Sequence, residues 1–213
     1  MQDKRKSYYD FDIDFEGIML ESGMVDEMFR LQDLRNRKLF LTDEISQISV
    51  GDIVKNILQY NCDDKGIAAE ERIPILLYVT SVGGSVDAGF ELIDVIESSK
   101  TPVYTINLGY QYSMGLLIGL AGHKRFATKN AKYLMHDGSN FVYNSGAKAQ
   151  DQMRFQGKVE DRIKEYILSH SKLTQEEYDA NLRVEWYMFA DEAKERGFVD
   201  SIIGVDCDMD AVI

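Results

Sequence analysis

The stretch PILLYVTSVGGSV, residues 74 to 86, carries an apolar run of strand length directly into two glycines and a serine. An amphipathic pattern follows, with Val86, Phe90, Ile93 and Val95–Ile96 returning on one side at helical spacing. A buried strand, a glycine turn and a helix in immediate succession make the repeating unit of an α/β protein. The unit recurs on both sides. Upstream, KLFLT (38–42) reads as a short strand and SVGDIVKNILQY (49–60) as a helix, with Val50, Ile53, Val54, Ile57 and Leu58 on its apolar side. Ser49 and Asp52 are the expected cap and acidic first turn of that helix. Downstream, Pro102 introduces the strand VYTINL and a helix begins near Ser113. KRFAT (124–128) and KYLMH (132–136) are two further short strands. The alternation predicts a largely parallel sheet.

The segment from Gly146 to Ser171 breaks this rhythm. It reads as one long helix, charged over much of its surface, with Met153, Val159, Ile163 and Ile167 on a narrow apolar stripe. Gly157 in its middle costs roughly 1 kcal/mol relative to alanine. Such a stripe suits either an arm that docks elsewhere or a helix on the edge of the core. LTQEE then reads as a capping box from Thr174 to Glu177, and ADEAKERGF as a short helix stopped at Gly197 before the strand-like VDSII. Residues 1–35 are acidic and aromatic without clear period, and read as a terminal arm or irregular element.

The totals narrow the function. At 213 residues the chain can build one sizeable core. With 36 acidic against 24 basic residues the net charge is −12, and no basic patch stands out, which argues against a nucleic-acid partner. No apolar run approaches the roughly 18 residues that a bilayer crossing requires, and the polar start MQDKRKSYYDFDIDF is no secretory signal. A cytoplasmic protein without a membrane partner is the expectation. Cys62 and Cys207 lie far apart without metal-ligand spacing, so no disulfide framework, metal or cofactor is expected.

Three features carry chemistry. The two glycines of VGGS let backbone N–H groups point into open space, where they could stabilise an oxyanion as well as form a plain tight turn. Ser113 opens a helix, the usual place for a cap. A nucleophile there gains the adjacent N–H of Met114 and the positive end of the helix dipole. His136 ends a strand beside a turn, well placed to reach into a site. His123 reads as solvated, and His170 as a structural cation at a helix C-terminus. For the acid that would orient the imidazole, Glu185, Asp179 and Asp191 stay open, because periodicity alone does not choose among them.

Taken together and in order, these motifs resemble the Clp proteolytic subunit family of serine peptidases, within the ClpP/crotonase superfold. The resemblance runs from about Lys38 to Ile203. LYVTSVGGSV is similar to the family's strand and SPGG turn, and GYQYSMG to its serine motif, with Gly109 four positions before Ser113. LMHDG matches its histidine strand, and FADEAKERGFVDSI its C-terminal signature. The resemblance implies repeated β-β-α units, with Ser113 as nucleophile, His136 as general base and the Gly84 and Met114 N–H groups as oxyanion hole. The family's aspartate position falls on Glu185, with Asp179 as alternate. It also implies a domain over 36–213 with a protruding handle helix at about 147–171, and Gly146 with the SNFVYNSG segment beside an extended substrate. Heptameric rings stacked in pairs would enclose the sites, and an ATP-driven unfoldase would feed them unfolded polypeptide. Departures are Val82 for a proline, Tyr112 for a small residue, and Asp137–Gly138 after the histidine. Two other readings remain: a catalytically weak or partner-activated ring subunit, and a crotonase-like acyl-CoA enzyme.

Overall fold

The computed structural model describes residues 24–138 and 145–213. Five strands form a parallel sheet in the order β1 (Lys38–Leu41), β2 (Ile75–Val79), β3 (Val103–Asn107), β5 (Lys124–Thr128) and β8 (Ser201–Ile203). Ile75, Leu77 and Val79 are buried on the face that meets α2 (Gln47–Asp63), α3 (Val86–Ser98) and α4 (Met114–Leu120). Tyr78 points the other way and joins Ile106, Phe126 and Ile203 in a smaller cluster closed by Val212, whose carbonyl accepts from the Tyr78 hydroxyl. A sheet buried on both faces reads as continuous apolar runs, which is what ILLYV is.

A second, smaller sheet sets β4 (Tyr110–Tyr112) parallel to β6 (Lys132–Met135), and β6 antiparallel to β7 (Trp186–Phe189). Neither β4 nor β7 is expected from periodicity. The two sheets meet at Ser81, whose N–H donates to Tyr110 O (3.1 Å) and whose carbonyl accepts from Tyr112 N–H (2.9 Å).

Three local readings change. The segment read as a terminal arm or irregular element is helical in its described part, α1 (Met24–Arg35), and residues 1–23 lie outside the described residues. It docks because Leu34 is buried and its carbonyl accepts the Tyr60 hydroxyl at 2.7 Å. Second, α2 is capped by Ser46 rather than Ser49. Ser49 occupies the third helical position and its hydroxyl accepts from Ser46 N–H (2.9 Å), completing a capping box. Third, α3 buries Ala88, Leu92, Ile93 and Ile96 while Phe90 is half-buried, so the apolar stripe is wider than expected.

The long helix α5 (Ala147–His170) buries only Ile167 fully; Met153 and Phe155 are 63% and 66% exposed. Its first half therefore stands with apolar side chains uncovered within this one chain. The short helices α6 (Gln175–Asn181) and α7 (Ala190–Glu195) follow, and Thr174 caps the first by accepting from Glu177 N–H at 3.1 Å.

One polar cluster ties the scaffold together. Arg37, at φ +57° in the turn between α1 and β1, grips Asp64 with both guanidinium nitrogens (2.6 and 2.7 Å) and Ile73 O (3.0 Å). Thr101 donates to the same carboxylate at 2.8 Å. Burial raises the Asp64 pKa, but the Arg37 and Thr101 hydrogen bonds outweigh it and hold the carboxyl below its ordinary value. Asp64→Asn leaves the Arg37 charge buried without its partner, and a loss of about 3 kcal/mol in urea unfolding is expected. Because the folded-state pKa is lowered, this stabilisation is full above the unfolded value of about 4 and disappears as pH falls through the folded one. The acid arm of the wild-type stability curve should flatten in the variant.

Candidate active site

Ser113 is the single residue between β4 and α4, with φ +52° and ψ −122°. A non-glycine residue held there costs about 1–3 kcal/mol, which the surroundings must supply. They do so through the backbone: Ser113 N–H donates to Leu134 O (2.9 Å), and Leu116 N–H donates to Ser113 O (3.0 Å). The side chain stands in the cap position of α4 yet makes no capping hydrogen bond. Its hydroxyl is thus not needed to start the helix.

The glycine turn touches this corner. Gly83 and Gly84 have φ +100° and +146°, which L side chains rarely adopt. A Cβ on Gly83 would lie 2.8 Å from Ser113 Cβ, 2.9 Å from Tyr112 O and 3.2 Å from Met114 N. Glu44 and Ile45 brace the other side. Ile45 N–H donates to Gly83 O and Ser85 N–H to Ile45 O, both at 2.8 Å. A Cβ on Gly84 would stand 2.4 Å from Ile45 O. The N–H groups of Gly84 and Met114 donate to no acceptor among the described residues. The Met114 side chain turns inward onto Gly89 of α3, where a Cβ would meet its Cγ at 2.3 Å.

His136 follows the last residue of β6. The ladder ends where Met135 pairs with Trp186, so His136 and Glu185 flank the same end of it. Residues opposite each other in a ladder share a face, which places Leu134 and Tyr187 on one side of the small sheet. Tyr112, paired with Leu134, is on that side as well. The Glu185 carboxylate is exposed, and its Oε2 accepts from the Tyr187 hydroxyl at 2.9 Å. Among the described residues no hydrogen bond joins the Ser113, His136 and Glu185 side chains to one another.

The other acids are engaged elsewhere or remote from the ladder. Asp179 accepts from Lys164 (2.8 Å) and Gln175 (2.6 Å), which hold its pKa down. Asp191 lies exposed in the first turn of α7. Asp137 is exposed, its N–H given to Leu182 O at 3.0 Å. His123 is exposed but its ring is fixed, Nδ1 accepting from Val103 N–H at 3.1 Å. His170 stacks on Tyr166 and pairs with Glu97 at 2.9 Å. The SNFVYNSG stretch lies outside the described residues except for its last two. Sequence reasoning missed Tyr187: it shows only as one aromatic among several until β6 and β7 pair. Among the described residues no three His, Cys, Asp or Glu side chains gather at metal-binding distance, and no helix is long and apolar enough to cross a membrane.

A parallel α/β sheet whose glycine turn abuts a strained serine at a helix start is the layout of the ClpP-type fold. The family model described as Clp protease matches residues 22–206, and the chain belongs to that family. It is similar to the ATP-dependent Clp protease proteolytic subunit 2 of Treponema pallidum (strain Nichols), at 29% identity over 191 residues that cover 89% of this chain and 92% of the relative. The chain is therefore a ClpP-type serine peptidase subunit. Membership carries with it ring assembly and Clp ATPase partners in general.

Proposed function

We propose that this subunit is an endopeptidase acting on unfolded polypeptide, with Ser113 as nucleophile, His136 as general base and Glu185 as the orienting acid. The observation that carries the reading is the corner itself. A serine at φ +52°, relieved of any capping duty, stands against Gly83 of the glycine turn and directly before Met114, and the N–H groups of Gly84 and Met114 lack acceptors among the described residues. In the first step Ser113 Oγ bonds to the peptide carbonyl carbon as His136 takes its proton, and the carbonyl oxygen becomes an oxyanion facing the two N–H groups. Collapse breaks the C–N bond, with the proton passing from His136 to the leaving amine. Water, deprotonated by the same imidazole, then releases the acyl group and restores Ser113.

Around this chemistry we place a peptidase domain over 36–213 with the handle at about 147–171. Heptameric rings stacked in pairs would form a closed chamber, in the cytoplasm, fed by an ATP-driven unfoldase. The exposed Met153 and Phe155 on α5 support the handle, because side chains of that kind need a covering partner. One observation favours a partner-activated variant of the same reading: the three triad side chains share no hydrogen bond in the single chain.

Intact mass after fluorophosphonate treatment tests the proposal. One adduct per subunit is expected, forming at least about 100-fold more slowly in His136→Ala, because the base no longer activates the serine. Absence of any adduct, in assembled and unassembled protein alike, overturns it. An adduct in the assembled form alone selects the partner-activated variant.

A further inference from the structure

Glu185 carries one methylene more than an aspartate, and so one more rotatable bond to fix before its carboxylate can orient an imidazole. Exposed at the edge of β7, it would sample several rotamers if nothing held it. Here it is held from one side: the Tyr187 hydroxyl donates to Oε2 at 2.9 Å. The tyrosine is placed in turn. Its ring meets Tyr112 edge-on, with centroids 5.8 Å apart at 87°, and Tyr112 leans on Tyr110 at 5.0 Å. Tyr112 is the residue directly before Ser113. An unbroken row of contacts therefore runs from the strand that delivers the nucleophile to the carboxylate of Glu185, at the end of the ladder where His136 also stands.

Resting on the triad reading above, we infer that Tyr187 is a positioning residue for the acid: its hydroxyl holds Oε2 of Glu185, leaving Oε1 for the Nδ1–H of His136. The aromatic row from Tyr110 through Tyr112 fixes where that hydroxyl stands. The hydroxyl is a donor at neutral pH in any case, and the hydrogen bond to Glu185 foremost, then burial and the charges of Glu185 and Tyr112, push its pKa further up. A carboxylate pinned at one oxygen needs less ordering when the imidazole becomes charged, so the tether acts through the rate rather than through substrate binding.

Tyr187→Phe keeps the ring and its contact with Tyr112 and removes only the donor. Its kcat for a peptide substrate should fall by about three- to tenfold with KM nearly unchanged. The acidic limb of kcat/KM should move to lower pH, because the imidazolium is less well stabilised. In the Glu185→Gln background the same change should have little further effect, since coupled residues are non-additive. Equal losses in both backgrounds, an unaltered kcat and acidic limb, or a faster Tyr187→Phe enzyme would each overturn the inference; the last would mean that the tyrosine parks the acid away from His136. Wild-type labelling by fluorophosphonate separates the two claims. If the wild type does not label, the triad reading has failed. If it labels and the cycle is additive, only the role of Tyr187 has.

Discussion

Ser113→Ala is expected to lower hydrolysis of an unstructured polypeptide by about 10⁴-fold or more, leaving what binding and the oxyanion donors supply alone. The size of the loss follows from the attacking bond being absent, and the structure explains why the change should be clean. None of the interactions that hold residue 113 at φ +52° uses the hydroxyl; they run through its N–H to Leu134 and its carbonyl to Leu116. Alanine is strained at this φ to much the same degree as serine. The thermal midpoint should thus stay within a few degrees of wild type, so that the loss is read as chemistry and not as unfolding. Retention of even about 1% of turnover, in a preparation free of contaminating peptidase, would rule out Ser113 as the nucleophile.

Gly84→Ala is expected to cost about 10²–10³ in kcat, the usual effect of losing one oxyanion donor. The cause is steric. The new methyl group would fall 2.4 Å from Ile45 O and 2.8 Å from Ile45 N, backbone atoms that cannot swing aside as a flexible side chain could. The turn must rotate, and the Gly84 N–H turns with it. Ser113, His136 and Met114 belong to other elements and stay in place. The variant should therefore still take a fluorophosphonate adduct, slowly, where Ser113→Ala takes none. A kcat within about threefold of wild type would remove Gly84 from the oxyanion hole.

The centre of the large sheet is legible in the sequence because β2 and β3 are mostly apolar runs, each introduced by a proline. The small sheet is not. β4 is three residues long, and its central Gln111 is a buried polar residue that no apolar period would include. β7 shows Tyr187 and Phe189 outward and Met188 inward, with Trp186 half-buried against the core, so two of its three rings lie on the exposed side. The start of α2 misleads for a similar reason. Ile48 is 91% exposed within its first turn, and the apolar period begins only at Val50, past the true cap. At the site, Ser113 and the glycine turn can be read from motif and spacing. The backbone angle that makes Ser113 unlike an ordinary cap is imposed by Leu134 from another strand and leaves no mark on the local sequence. The link between Glu185 and Tyr187 is equally hidden, since it acquires meaning only when β7 lies beside β6.

The inward-turned Met114 side chain bears on how this chain can drift over generations. The space that a methyl group on Gly89 would need is already filled by the Met114 thioether. Positions 89 and 114 are thus sterically coupled: a bulkier residue at 89 requires the Met114 side chain to move or to be replaced by a shorter one. Gly119 and Gln111 are bound in the same way, a Cβ on the glycine falling 2.2 Å from the glutamine Oε1. Both pairs border the serine corner. Descendants of this sequence should keep or exchange each pair together, and a change at one member alone should be rare among chains that keep the corner intact.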